Sequence, residues 1–140
     1  MRGAGLETAI AADIREEIWM KLIGNLSYNP VAALTLARMD EINANAGLLT
    51  LMRVMMEEVM QVAEFYGVRI SVSIEERIAI AREIGSAKLS MHQDIEKGGP
   101  LEIDAIVASV VELARKAGIA SPMTDAVHAL IAERARHLTQ

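Results

Sequence analysis

Apolar residues recur at helical spacing along almost all of this 140-residue chain. Nowhere do they alternate with period two for long enough to make a strand. Ser71-Val72-Ser73 is too short to change the class, so the sequence predicts an all-α domain. Composition agrees. Ala, Leu, Ile, Met and Glu dominate, and all but Ile are strong helix formers. Hydrophobic residues make up 52% and aromatics only 3%, so aliphatic side chains and the nine methionines must fill the core. The length suits one compact domain.

The pattern predicts about five main helices with shorter pieces between them. Residues 1–10 read as an incoming linker and residues 11–140 as the helical domain. The first helix starts near Ala12–Asp13 and lines up Ile14, Ile18, Leu22 and Leu26, with acidic Asp13, Glu16 and Glu17 at the favourable end of its dipole. Pro30 removes one backbone donor, which predicts a kink or break before the pattern resumes over residues 31–37. Residues 38–47 read as a loop or short helix. A second helix covers about residues 48–66, with Gly67 as its stop. The capping box Ser73-Ile-Glu-Glu76 opens a third, running to about Lys88. Residues 90–97 form a separate stretch before Gly98-Gly99-Pro100. A fourth long helix covers residues 102–117, and Ser121-Pro122 opens the last, which ends near His137.

Several function classes drop out. The net charge is −5, and no run of Lys and Arg is longer than the pair Arg115-Lys116, so neither a nucleic acid nor an anionic membrane has a basic stripe to hold it. No run of about 18 apolar residues is present to span a bilayer. The absence of cysteine excludes thiolate chemistry and fits a reducing, cytoplasmic location. His92, His128 and His137 lack ligand spacing, so no metal is expected. Glu57 and Glu58 are adjacent and point to different sides of a helix, which rules out a carboxylate dyad. Met52, Met55, Met56 and Met60 at helical spacing read as core packing.

The first helix carries the polar residues of interest. Lys21, Asn25 and Asn29 are spaced i, i+4, i+8 and form one slanting row. Around them lie Trp19, Met20, Leu22, Ile23 and Leu26, so the helix reads as packed on most sides. Periodicity leaves two readings open: the row faces water, or it faces a cavity where its polar groups find partners. A second group is Ser90-Met91-His92-Gln93-Asp94, followed by Gly98-Gly99-Pro100-Leu101-Glu102-Ile103-Asp104. Taken alone, Glu102 is a helix-start carboxylate and Ser90 a helix-terminal hydroxyl.

Together the two groups resemble ketopantoate reductase (2-dehydropantoate 2-reductase), whose C-terminal domain carries Lys-x-x-x-Asn-x-x-x-Asn-Pro, then Ser-Met-x-Gln-Asp and Glu-Ile-Asp. Here these are Lys21 to Pro30, Ser90 to Asp94 and Glu102 to Asp104. The lead-in from Asp13 to Leu22 and the closing Gly118-Ile119-x-x-Pro122 are also similar, so the likeness covers almost the whole chain. Each motif is weak alone, and their order and spacing are specific.

The resemblance implies a fold of the 6-phosphogluconate-dehydrogenase C-terminal-like type, joined in the whole enzyme to an N-terminal Rossmann domain that binds NADPH. It implies reduction of ketopantoate to pantoate, on the way to pantothenate and coenzyme A, in a cleft between the two domains. It makes Lys21 the catalytic lysine, Asn25, Asn29 and Ser90 substrate-binding, and Glu102 a further ligand of the substrate. The residue types suit that chemistry. An ammonium stabilises charge growing on a ketone oxygen and can supply the proton, more readily if buried. Asparagines offer both donors and acceptors to hydroxyls and carboxylates.

Leu101, where the family often has Thr, and His92, where an apolar residue is common, depart from the pattern and leave room for another 2-oxo acid. Gly3-Ala-Gly5 begins like a dinucleotide fingerprint, but Thr8 interrupts it and no strand precedes it. The chain therefore needs a Rossmann domain, in cis or in trans, and alone is expected to be inactive. A homodimer, or a helical dimerisation module without activity, is the competing reading.

Overall fold

The computed structural model describes residues 14–138. The expected linker and the helix start at Ala12–Asp13 lie outside them. Among the described residues there are seven α-helices and one π-helical turn, and no strand. They are α1 (Ile14–Thr35), α2 (Met39–Ala44), α3 (Ala46–Phe65), α4 (Ile74–Glu83), α5 (Ser90–Lys97), the π turn (Asp104–Ala108), α6 (Ser109–Ala117) and α7 (Pro122–Leu138).

Helix α1 is the hub: it packs against α5, α3 and α7, and also touches the π turn and α2. Its second half, from Ile23 to Ala33, is buried almost continuously, because neighbours cover it on several sides. Two adjacent residues show this. Ala32 belongs to a core with Met52, Met55, Met56, Ile78 and Val127, while Ala33 belongs to a second core with Met91, Ile95, Val107 and Ile131. Met52, Met55 and Met56 are fully buried, so that methionine stripe is core packing. The first half of α1 differs. Ile14 and Ile18, read from the sequence as the start of the packed face, are 65% and 58% exposed. Period identifies a face, not what covers it.

Three boundaries differ from the sequence reading. Pro30 does not end α1, which continues to Thr35, since the packing of Val31, Ala32 and Ala33 offsets one lost hydrogen bond. The helix stops at Leu36, a non-glycine residue in the left-handed region at φ 58°. Helix α4 ends at Glu83, not near Lys88, because Gly85 takes φ +71°. The long helix expected over residues 102–117 covers that stretch from Ile103 onward, but it opens with the π turn.

The remaining starts follow local capping. Asn45 accepts from the amide of Leu48 at 3.0 Å to open α3, and the Ser73–Glu76 box opens α4. Helix α7 is capped from elsewhere. The carboxylate of Glu58, on α3 and 6% exposed, accepts the amides of Met123 and Thr124 at 2.9 and 2.8 Å and the Thr124 hydroxyl at 2.6 Å. Two helices are thereby fastened through one buried carboxylate at a positive helix end.

Candidate functional site

Residues four apart on a helix lie on one slanting row, about 6 Å apart along the axis. On α1 that row descends into the protein. Lys21 is exposed, Asn25 half-buried and Asn29 5% exposed. The row thus runs from solvent to interior along one helix, which combines the two readings left open by periodicity. Among the described residues nothing buries Lys21.

Ser90 is the first residue of α5, exposed, at a helix start whose N-cap, Leu89, offers no side-chain hydrogen bond. Glu102 is exposed and lies just ahead of the π turn, where its carbonyl accepts from the amide of Ile106 at 3.3 Å. Both α5 and the π turn pack on α1, so the fold brings the carriers of the two sequence groups to the same helix. It does not join the side chains. Among the described residues, no hydrogen bond or ion pair links Lys21, Asn25, Asn29, Ser90 and Glu102 to one another.

His92 belongs to the core, 2% exposed. Its Nδ1 lies 3.2 Å from the carbonyl of Ala37 and its Nε2 3.4 Å from Glu96, which Lys88 also holds at 2.6 Å. The Lys88 hydrogen bond keeps the Glu96 carboxyl below the usual range, with a smaller contribution from His92. Leu101 is half-buried beside the second core. A depression lies elsewhere, an open groove of about 760 Å³ between the end of α3 and the start of α4, bordered by Met60, Gln61, Glu64, Val68, Arg69 and Ile70. None of the five candidate residues lines it. Among the described residues no group of three or more His, Asp or Glu could hold a metal ion, and no helix is long and apolar enough to cross a membrane.

The structure adds polar groups that sequence patterns did not single out. The Tyr28 hydroxyl donates to Asn43 Oδ1 at 2.8 Å, and Asn43 Nδ2 is buried without a partner among the described residues. Burial raises the Tyr28 phenol above its ordinary value, against the opposing pull of Arg77, Arg82 and Arg53. Arg77, on α4, reaches across to α1. A Cβ at Gly24 would fall on its Nη2 and lie 2.9 Å from its Cζ. Gly24 is one helical turn beyond Lys21. A glycine inside a greasy helix costs about 1 kcal/mol relative to alanine, which was the one hint in the sequence of a close approach here.

Comparison with known proteins matches residues 13–135 to the family described as "Ketopantoate reductase PanE/ApbA C terminal". A 2-dehydropantoate 2-reductase of Mesorhizobium japonicum is 46% identical over 128 residues, which is 91% of this chain and 39% of that protein. The crystal structure of a PanE/ApbA family ketopantoate reductase from Ralstonia eutropha superposes with a TM-score of 0.86 at 28% identity, covering 93% of this chain and 44% of that one. D-mandelate dehydrogenase, in a ternary structure with NADH and anilino(oxo)acetate, shares the fold with a TM-score of 0.84 at 23% identity. The chain spans about two-fifths of the length of the curated relatives it matches.

Proposed function

Because the chain belongs to the ketopantoate reductase family as its C-terminal domain, we propose that it forms the substrate-holding wall of an NADPH-dependent 2-dehydropantoate 2-reductase. The observation that supports this reading is the row on α1. Lys21 and Asn25 present donors that no hydrogen bond or ion pair engages among the described residues, at the open end of a row that sinks to Asn29. A face built this way suits a small acid held against a second domain, and explains why the residues do not enclose a pocket by themselves.

The donor set fits the oxygens of such a substrate, whereas the dinucleotide falls to the Rossmann domain. When bound, the nicotinamide supplies a hydride to the ketone carbon. The rest of the step belongs to this chain. The Lys21 ammonium faces the ketone oxygen, stabilises the charge that grows there and gives it a proton. Asn25 and Asn29 hold the hydroxyl and carbonyl oxygens by donating through the amide nitrogen and accepting at the amide oxygen. Ser90, at the start of α5, donates to the carboxylate. The Glu102 carboxylate accepts from the substrate hydroxyl. Closure by the Rossmann domain buries Lys21 and excludes water from the reacting oxygen.

The test joins this chain to a family Rossmann domain, in cis or in trans, and measures NADPH-dependent reduction of ketopantoate beside other 2-oxo acids. The pair should turn over and the chain alone should not. Lys21→Ala should lower kcat by roughly 10² to 10⁴. Wild-type kcat in that variant would overturn the assignment.

A further inference from the structure

Arg77 is the cation the proposed reaction does not yet use. It makes no hydrogen bond or ion pair among the described residues, and its Nε is buried without a partner. A sealed, unpaired guanidinium nitrogen is costly, about 1–3 kcal/mol, and calls for an explanation. Neighbouring acids do not supply one. The nearby carboxylate, Glu75, is held by Arg53 through a two-pronged pair at 2.8 and 3.0 Å. Arg77, Arg82 and Arg53 all act on the Tyr28 phenol, and of these three only Arg53 has that acid. In a chain of net charge −5 this is a local excess of positive charge.

Its position relative to Lys21 follows from helix geometry. Gly24 is three residues beyond Lys21, turned about 60° to one side, while Asn25 is turned about 40° to the other. Side-chain positions at i and i+3 lie roughly 5–6 Å apart. The Arg77 Nη2 lies 2.0 Å from where a Gly24 Cβ would stand, so the guanidinium is within roughly one such spacing of the base of the Lys21 side chain. Any larger residue at position 24 would push it away. A guanidinium beside the Lys21 turn, with no ion-pair partner of its own among the described residues, suits a ligand with two neighbouring oxygen centres. A 2-oxo acid has a ketone oxygen and a carboxylate on adjacent carbons, and a guanidinium matches the carboxylate with paired N–H donors.

We propose that Arg77, in addition to the Ser90 hydroxyl already assigned that role, holds the carboxylate of the 2-oxo acid whose ketone oxygen is handled by Lys21, with Gly24 as the gap that lets it approach. This rests on the substrate reading of Lys21 given above. It makes Arg77 a specificity-determining residue: a ligand lacking the acid group loses its charged anchor.

The experiment records the arginine Nε–H and backbone amide NMR signals of the chain during titration with pantoate. Pantolactone, the same skeleton without a free carboxylate, and inorganic phosphate are titrated at matched ionic strength. Pantoate should move the Arg77 Nε and the Gly24 and Asn25 amides, and pantolactone should not. Arg77→Met should weaken pantoate binding by roughly tenfold or more, with Arg77→Lys recovering part of it. Gly24→Ala, which favours the helix while displacing the guanidinium, should weaken it as well and guards against a folding defect at position 77. Unchanged affinity in both Arg77→Met and Gly24→Ala, with binding lost in Lys21→Met, would overturn the Arg77 proposal and leave the Lys21 reading standing. Binding lost in Arg77→Met but kept in Lys21→Met would support an anion site at Arg77 and overturn the reading of Lys21. Phosphate acting as strongly as pantoate would overturn the carboxylate assignment, and no response to any probe would overturn both.

Discussion

Glu58 and Thr124, 66 residues apart in sequence, meet through two hydrogen bonds: the backbone amide of Thr124 donates to Glu58 Oε2 at 2.8 Å and its hydroxyl at 2.6 Å. With the Met123 amide on Oε1, one buried carboxylate carries the whole start of α7. Removing it leaves amide donors unpaired inside the protein. Glu58→Ala should lower stability by about 2–3 kcal/mol, and Thr124→Val, which loses only the hydroxyl, by about 1 kcal/mol. Urea denaturation followed by circular dichroism would check both.

Leu36 offers a change in the other direction. It sits at φ 58° with its side chain largely exposed, so it bears left-handed strain with little packing in return. Leu36→Gly should raise stability by about 0.5–1 kcal/mol. A lower melting temperature would show that its side chain matters more than its exposure implies.

The Tyr28 phenol gives a pH signature. Burial raises it above 10.0, so its contribution to stability is intact below that value. As pH rises through the unfolded value, the unfolded chain releases the proton first and stability falls. Tyr28→Phe should flatten this alkaline loss. Acid has the opposite effect. Glu76, held low first by the Ser73 hydroxyl and then by its backbone amide, and Glu96, held low by Lys88, stabilise the fold above their ordinary value of 4.5. That contribution is lost as pH falls below it. Ser73→Ala should flatten the acid limb, as read by melting temperature across pH 3 to 6.

Asn29 and Asn25 should separate in their effects because one is buried and the other is not. Asn29→Ala should lower both stability and activity of the two-domain enzyme. Asn25→Ala should raise KM with the fold intact. Equal loss of stability in the two would contradict the depth difference along α1.

Period and capping made most of the fold legible before any coordinates. The Ser73 box, the Ser121-Pro122 start and the glycines at 67 and 118 mark the ends they were expected to mark. Other features had no local pattern. The Glu58 cap joins two helices across 66 residues, and nothing near Glu58 announces it. The burial of Pro30 within one continuous helix depends on what α1 packs against, as does the exposure of Ile14 and Ile18. The candidate residues were named from the resemblance to a family's motifs, and the fold packs the elements that carry them against α1. The approach of Arg77 to Gly24 is tertiary, and only the interior glycine hinted at it.

The uninterrupted course of α1 has a consequence for what the protein can tolerate. Lys21 and Asn29 stand about 12 Å apart on one rod, so on the proposed substrate reading ligand length would be met as depth. On that reading a short acid would meet only the upper rungs, and a longer one the lower. Substitutions beside the row leave this gauge in register. A single residue inserted between Lys21 and Asn29 swings the lower rungs by about 100° and erases the scale.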